Sequence, residues 1–261
     1  MKSEKLMKTR YTLCLFVLML CFGCAQKQPK HYTHEVLNRM TPIKNQGKSQ
    51  TCWIYAMLAA IETERLAQDD SVNLSPFYID KMMEREPQCP ETKRGMGKTL
   101  LTLIKKYGIV DYDAMRSVNS PIPQYVSMAG TQNTPQEFAR NICKADEYIA
   151  LTANYGRPYY KEVDINLPDN WMRDRFYNIP MDSLLAKTER AVRHHHGVCW
   201  ESKGHAMAIV GIAHDDEGQQ YFIMKNSWGI KRAHKGLDYL SFRKFRKQTL
   251  AVEMTKEAYD N

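Results

Sequence analysis

Residues 52–61 constrain the fold more than any other part of this 261-residue chain. This segment, CWIYAMLAAI, carries no charged side chain and is apolar on every side of a helix. A helix of that kind must be buried along most of its length. The polar loop before it, residues 42–51, ends in Thr51, a suitable N-cap. Cys52 is therefore expected at the first turn of a buried helix, where free N–H groups and the helix dipole favour an anion and ease loss of the thiol proton.

The composition is that of a folded chain without a nucleic-acid signature. Hydrophobic residues make up 43% and charged residues 25% of the sequence, which supports one sizeable core or two small ones. The formal net charge is +8, but no stripe of Lys and Arg interleaved with aromatic residues is present. We therefore expect no nucleic-acid partner.

The N-terminus has the pattern of an export signal. Basic residues in the first ten positions precede the apolar stretch 11–23, which is too short to span a bilayer. The alternative for this stretch is a buried core helix. The Gly-Cys pair ending at Cys24 resembles a bacterial lipoprotein cleavage site, although Cys21 replaces its usual Leu. The prediction is a signal peptide at 1–23, a lipid on Cys24 and a tether over 24–40. The protein would then be anchored to a membrane of the bacterial cell envelope, facing the periplasm or the exterior.

Two short segments in the second half predict an antiparallel hairpin. Residues 204–211 and 221–226 are rich in β-branched, aromatic and aliphatic side chains. Residues 215–218, with the sequence DDEG, form a turn signal between them.

The register of this hairpin would bring His205 close to an amide side chain. If residues 215–218 are the loop, His214 pairs with Gln219 and His205 lies opposite Trp228. Asn226 is then a diagonal neighbour of His205 on the same face. A lone histidine on such a strand is usually a core residue with its hydrogen bonds satisfied. Here an amide, a covering tryptophan and a helix-start cysteine elsewhere in the chain favour a Cys–His catalytic pair.

Three sequence blocks resemble the signature blocks of papain-like cysteine peptidases. They are Gln46 with Cys52-Trp53, residues 204–206 (GHA) and residues 225–229 (KNSWG), and the similarity runs from about residue 42 to the C-terminus. The resemblance implies an α+β papain-like fold over 41–261, with a mainly helical lobe (41–150) and a mainly β lobe (151–261). The active-site cleft would lie between the lobes.

The same resemblance implies a role for each matching residue. Cys52 would be the thiolate nucleophile, His205 the general acid and base, and Asn226 the group that orients the imidazole. Gln46 and the backbone N–H of Cys52 would face the oxyanion. Trp228 would shield the His205–Asn226 contact from water.

Other positions carry less specific expectations. Trp53 is a supporting residue. Gly95 and Gly97 resemble a substrate-binding glycine loop, but a simple turn before the next helix explains them equally well. No cofactor is expected.

The departures from papain point to a branch of the family. Ser49 stands where papain and the cathepsins have a disulfide-forming cysteine, and residues 198–202 and 234–239 look more like bleomycin hydrolase and aminopeptidase C. In that branch the C-terminal tail occupies the cleft and restricts the enzyme to free N-termini. Aminopeptidase and endopeptidase activity, the course of the tail and the oligomeric state therefore stay open. Two other functions also remain: a catalytically silent peptidase-like binding module, and a Cys–His amidase or transferase.

The remaining cysteines and histidines are given structural roles. Residues 194–196 are three consecutive histidines, which cannot all point one way in a strand or helix, so no metal site is expected. Cys89, Cys143 and Cys199 are predicted to be small buried hydrophobic residues, although an oxidising compartment would permit a disulfide among them.

Overall fold

The computed structural model describes residues 30–261, and the predicted signal peptide and Cys24 lie outside that range. Two short 3-10 segments, Ala145–Glu147 and Ala233–Gly236, accompany the regular elements. The helices are α1 (Cys52–Ala67), α2 (Pro76–Met83), α3 (Gly97–Tyr107), α4 (Pro135–Ile142), α5 (Met181–Arg193), α6 (Phe242–Gln248) and α7 (Lys256–Asp260). The strands are β1 (Tyr32–Leu37), β2 (Val126–Met128), β3 (Thr131–Asn133), β4 (Tyr148–Thr152), β5 (Lys161–Asp164), β6 (Arg175–Asn178), β7 (Val198–Ser202), β8 (His205–Asp215), β9 (Gln220–Lys225), β10 (Leu237–Ser241) and β11 (Thr249–Thr255).

Nine of these strands form one large sheet in the order β10-β9-β8-β7-β11-β4-β6-β5, with β1 paired to β8 outside that path. The pairs are antiparallel except β4 with β6, which is parallel. The expected antiparallel lobe is thus a mixed sheet. Strand β11 lies between β7 and β4, so the C-terminal part of the chain is at the centre of the sheet.

The sheet is covered on both faces around β7 and β8. Helix α1 contacts both strands, and Ala208 and Val210 of β8 cluster with Ala59 of α1. The alternate residues Met207 and Ile209 belong to the core that includes α5. Because neighbouring residues of a strand point to opposite faces, burial on both sides explains the nearly continuous apolar sequence of β8.

Helix α1 is buried as the sequence predicts. Its side chains from Trp53 to Glu64 are all buried. The buried Glu62 carboxylate accepts hydrogen bonds from Thr41 Oγ1, from Lys44 Nζ at 2.7 Å and from the backbone N–H of Leu74 at 2.7 Å. Lys225 Nζ, at the end of β9, donates to Thr41 Oγ1 at 2.7 Å. This polar cluster ties α1 to the strand that leads into the candidate active site.

The structured unit begins earlier than the sequence indicated. Residues 24–40 were expected to be a tether, yet Tyr32–Leu37 is strand β1, antiparallel to β8. The compact unit accordingly starts at Tyr32. The polar, exposed composition of β1 conceals it in the sequence, because an edge strand with one solvated face carries few apolar residues.

The described C-terminal residues lie against α5 and not in a cleft. Lys187 donates a hydrogen bond to the backbone carbonyl of Tyr259, and Arg190 Nη1 donates to the carbonyl of Asn261 at 2.6 Å. Over residues 30–261, no helix is both long and apolar enough to cross a membrane.

Candidate active site

Cys52 is the first residue of α1, as predicted. Thr51 occupies the N-cap position, but its hydroxyl bonds to Ser49 Oγ at 2.7 Å instead of capping a helix N–H. The Cys52 side chain is partly exposed in an otherwise buried helix. The nucleophile candidate is thus presented at the surface by a helix that the core holds rigidly.

His205 and Asn226 meet as the sequence predicts. His205 Nε2 donates to Asn226 Oδ1 at 3.1 Å, and the same oxygen accepts from the backbone N–H of Ser227 at 2.8 Å. The Trp228 indole stacks on the imidazole with ring centroids 4.6 Å apart and an interplanar angle of 19°. Asn226 is 3% exposed, so this contact is shielded from water. Because Nε2 is held by Asn226, the nitrogen that takes up a proton in a reaction must be Nδ1.

The hairpin register differs from the prediction near its turn. His214 pairs with Gln220 instead of Gln219, and a β-bulge between Ile209 and Gly211 changes the register. Beyond the bulge, Ala208 pairs with Lys225, which is the register that the sequence argument assumed. The ladder ends there, so Trp228 reaches His205 by ring stacking and not as a cross-strand partner.

Gln46 is fixed in the lining of the cleft that contains Cys52 by two hydrogen bonds. Its Oε1 accepts from Ser227 Oγ, and its Nε2 donates to the backbone carbonyl of Ser49 at 2.6 Å. A primary amide carries two N–H groups, so one remains for a ligand. The Ser227 contact links Gln46 to the residue that follows Asn226.

Cys52, His205 and Gln46 line one cleft with a volume of about 210 Å³. Further lining residues are Ser49, Gln50, Trp53, Arg94, Gly95, Met96, Asp169, Glu201, Ser202, Gly204, Ala206, Trp228 and Leu250. The cleft therefore brings the first and second halves of the chain together at the candidate nucleophile.

The two glycines predicted to bind substrate have different positions. Gly95 lines the cleft and lies on the Trp53 indole, where an added Cβ would come within 2.7 Å of the ring. Trp53 Nε1 donates to the carbonyl of Lys93 at 3.0 Å, and this hydrogen bond fixes the loop that contains Gly95 to α1. Gly97 is buried at the start of α3, and its N–H donates to Glu201 Oε1 at 2.6 Å. Gly97 thus lies against Glu253 and Cys199 and is not among the residues that line the cleft.

Burial dominates the ionisation of both members of the Cys–His pair. Burial raises the pKa of the Cys52 thiol, although the backbone N–H of Ala206 acts against it; Glu201 adds to the rise. Burial likewise lowers the pKa of His205, while Asn226 acts in the opposite direction. The Cys52 thiol taken alone is thus harder to ionise than an ordinary thiol. Burial raises the pKa of the fully buried Cys199 well above its ordinary value, so the expected ease of ionisation relative to a thiol elsewhere in the chain stays a prediction.

Three buried acidic groups behind the cleft were missed by the sequence argument. Cys199, Glu201 and Glu253 offer potential ligand atoms that all lie within 4.8 Å of one another. Within the described residues, Glu201 Oε2 has no hydrogen-bond partner, and the Glu253 carboxylate has none of good geometry, although the Cys199 thiol interacts with it. Burial and the mutual repulsion of the carboxyl groups raise the pKa of Glu201 well above its usual value, and burial raises that of Glu253 to about 8. The ligand atoms of this acidic cluster are close enough together to hold one cation. Without a cation, the raised pKa values keep the two carboxyl groups protonated.

The remaining candidates have ordinary partners. His195 Nδ1 bonds to Asn38 Oδ1 at 2.9 Å, whereas His196 Nδ1 bonds to Glu64 Oε1 at 3.0 Å. The consecutive histidines thus point to different partners, as the sequence argument expects. Cys143 and Cys199 are buried and Cys89 is partly buried, and all of them are free thiols.

Comparison with known proteins assigns the family. The profile described as papain family cysteine protease matches residues 29–259. The chain belongs to the papain family. A senescence-specific cysteine protease of Arabidopsis thaliana is 24% identical over 207 residues, which are 76% of this chain and 52% of that protein. Cathepsin K of Gallus gallus is 24% identical over 229 residues, or 82% of this chain and 58% of that protein. The chain spans about half the length of the curated relatives it matches.

Solved structures of the papain family show the same fold. PepW from Lactobacillus rhamnosis superimposes with a TM-score of 0.65 at 15% identity, covering 87% of this chain and 82% of that one. The bromelain protease from Ananas comosus, solved with an inhibitor, gives a TM-score of 0.51 at 14% identity and covers 83% and 94%. The predicted α+β papain-like fold is confirmed. The assignment to the bleomycin hydrolase branch stays a prediction.

Proposed function

We propose that this papain-family chain is a cysteine peptidase that hydrolyses peptide bonds through an acyl-enzyme on Cys52. One observation carries the proposal: Cys52, His205 and Gln46 line a single cleft while Asn226 holds the far nitrogen of the His205 ring. A nucleophile, a base with an orienting group and an oxyanion donor are the parts that acyl transfer requires.

Acylation starts with proton transfer from Cys52 Sγ to His205 Nδ1. The thiolate attacks the peptide carbonyl carbon, and the carbonyl oxygen becomes an oxyanion facing the Gln46 amide and the Cys52 backbone N–H. The C–N bond then breaks. The imidazolium gives its proton to the leaving amine, and a thioester remains on Cys52.

Deacylation uses the same groups in reverse. His205 Nδ1 takes a proton from water, whose oxygen attacks the thioester carbonyl. The C–S bond breaks, the acid product leaves, and the proton on His205 returns the pair to its starting state. Asn226 keeps Nε2 protonated throughout, so Nδ1 is the nitrogen that exchanges protons with sulfur, amine and water.

We further propose endopeptidase access to the cleft. The described C-terminal residues form a central strand and then a helix held by Lys187 and Arg190 of α5. That course supports a cleft open at both ends. One observation favours an aminopeptidase instead: the partly exposed Asp169 carboxylate lies in the lining of the same cleft, where it could attract a free ammonium group.

The test uses pairs of fluorogenic peptides that differ only in a free or acetylated N-terminus. The full chain is assayed in reducing buffer beside Cys52→Ala, with Cys89→Ala as the matched cysteine control. Hydrolysis of the acetylated peptide that disappears only in Cys52→Ala is the expected result. Hydrolysis of the free amine alone would establish the aminopeptidase. Activity that survives Cys52→Ala would refute the peptidase assignment.

Failure of the folded protein to cleave either peptide would favour one of the two other functions. Tight peptide binding without turnover is the signature of a peptidase-like binding module. Transfer of an acyl group from the peptide to an added amine, in preference to water, is the signature of a transferase.

We also propose that the chain is exported and lipid-anchored through Cys24. The basic start, the apolar stretch 11–23 and the Gly-Cys pair support this placement in a bacterial envelope. Expression of the full chain in a bacterial host fed labelled fatty acid tests it. Label should enter the wild-type protein in the membrane fraction and be lost in Cys24→Ser, with Cys21→Ser as the matched control.

A further inference from the structure

Asn226 is held from behind by a carboxylate on the edge strand of the sheet. Asp238, on β10, lies opposite Met224 in the β9–β10 ladder, and Asn226 directly follows β9. Asn226 Nδ2 donates to Asp238 Oδ2 at 2.6 Å, and the backbone N–H of Asn226 donates to the carbonyl of Gly236 at 3.2 Å. The amide therefore receives contacts from both His205 and β10.

These contacts leave Asn226 only one favourable amide orientation. Its Oδ1 faces two donors, His205 Nε2 and the backbone N–H of Ser227, while its Nδ2 faces a carboxylate oxygen of Asp238. Rotating the amide by half a turn would oppose donor to donor at the Ser227 N–H and acceptor to acceptor at Asp238, and these two contacts set the orientation independently of the His205 tautomer. A buried polar group left unpaired in this way destabilises the rotated orientation. The Asp238 bond is charge-assisted, which makes it the stronger constraint.

We propose that Asp238 is a positioning residue for the proposed peptidase reaction, because its bond to Asn226 fixes the amide and, through it, the proton-accepting tautomer of His205. With Oδ1 of Asn226 toward His205, Nε2 must carry the ring proton. Nδ1 then presents its lone pair, which the transfer from Cys52 Sγ requires. The inference rests on the proposed function.

The charge of Asp238 has a second effect on the same ring. A carboxylate behind Asn226 stabilises the imidazolium and raises the pKa of His205, whereas Arg232, which lies over the Trp228 indole at 4.2 Å, lowers it. Of the charged groups near Cys52, Glu201 raises the pKa of the thiol and Arg94 lowers it. Lys225, beside Asn226, donates its hydrogen bond to Thr41. Asp238 is thus the carboxylate that acts on the ring through Asn226, the group that orients it.

Two substitutions separate the hydrogen bond from the charge. Asp238→Asn keeps an acceptor for Asn226 and removes the charge, whereas Asp238→Leu removes both at similar volume. Asp164→Asn is the matched control, because Asp164 is exposed on β5 at the opposite edge of the sheet. Circular dichroism and thermal unfolding verify that each full-length variant is folded.

The readouts are the pH profile of kcat/KM with the peptide substrate and the pH profile of Cys52 alkylation by iodoacetamide, followed on the Cys52 peptide by mass spectrometry. Asp238→Leu should lower kcat by about tenfold or more with little change in KM, since the tautomer is no longer held. Asp238→Asn should recover most of that loss, while its alkaline limb moves to lower pH by roughly half a unit.

Three results would overturn the inference. The first is that Asp238→Asn and Asp238→Leu both have the kcat of the wild type and the same alkaline limb in the pH profile of kcat/KM. Another is an equal loss in both variants with unchanged limbs, which would indicate a structural role. The third is that the control Asp164→Asn shifts the alkaline limb by as much as Asp238→Asn does. If the wild-type chain cleaves no peptide while the alkylation profile still shifts in Asp238→Asn, the proposed function fails and the positioning role stands.

Discussion

Replacing the buried carboxyl group of Glu253 with an amide should stabilise the protein near neutral pH. Glu253 is fully buried, and within the described part of the chain the side-chain donor that interacts with its carboxylate is the Cys199 thiol, a weak donor. Burial raises the pKa of Glu253 from 4.5 to about 8. From about pH 4.5 to about pH 8 the unfolded glutamate releases its proton while the folded one keeps it, so the free energy of unfolding falls as pH rises.

The size of the effect follows from that window. Each unit of pKa difference corresponds to about 1.4 kcal/mol, so at about pH 7 the buried acid costs roughly 3 kcal/mol relative to about pH 4.5. Glu253→Gln removes this cost, because an amide does not titrate. Its N–H groups also have an acceptor nearby in the unpartnered Glu201 Oε2. The variant should therefore match the wild type at about pH 4.5 and exceed it by roughly 3 kcal/mol at about pH 7.

Urea unfolding followed by tryptophan fluorescence measures this difference. Both proteins carry Cys52→Ala to prevent self-digestion, and Glu217→Gln, an exposed change in the hairpin turn, is the matched control. The decisive quantity is how the stability gap between variant and wild type changes with pH. A gap that stays constant from about pH 4.5 to about pH 8 would refute a protonated, buried Glu253. A control that reproduces the gap would refute it equally.

Three further changes test other parts of the site. Gln46→Ala should lower kcat by about 10²–10³, because one oxyanion donor is lost while the Cys52 N–H remains; Gln50→Ala, also in the cleft wall, should not. His196→Gln should lower the free energy of unfolding below about pH 6.5, and the difference should vanish as pH rises through the folded pKa of His196, which its hydrogen bond to Glu64 raises; the exposed His194→Gln is the matched control in urea unfolding. Gly95→Ala should cost about 1–3 kcal/mol in thermal unfolding, since its Cβ would meet the Trp53 ring at 2.7 Å.

The sequence predicts the local parts of this site well. Cys52 begins α1, and His205 and Asn226 meet because they are joined by a hairpin whose turn is readable. The hairpin argument assumed the wrong pairing at His214, and the β-bulge near Gly211 corrected the register before it reached His205. A bulge inserts one residue without a clear compositional mark. The prediction therefore succeeded at the catalytic end for a reason that the sequence alone does not reveal.

The nonlocal parts were not predictable in the same way. Glu253 reaches Glu201 because β11 inserts between β7 and β4, a strand order that periodicity does not encode. Asp238 reaches Asn226 across the β9–β10 pair. In the sequence, residues 234–239 indicate only a resemblance to bleomycin hydrolase and aminopeptidase C. Gly97 has the flexibility of a substrate loop but is used to bring a backbone N–H to a buried carboxylate. In each case the partner is set by sheet topology.

The acidic cluster and the nucleophile are also linked electrostatically. Ser202, the residue after Glu201, pairs with His205 on β8, so β7 carries the cluster directly beside the strand of His205. Glu201 raises the pKa of Cys52 when it is ionised, and Glu253 raises the pKa of Glu201 in turn. As long as the cluster retains its protons, the cleft adds little negative charge against the thiolate. The fold therefore loses stability while the cluster still holds its protons, from about pH 4.5 to about pH 8, whereas deprotonation of the cluster at higher pH acts on Cys52, whose pKa the ionised Glu201 raises.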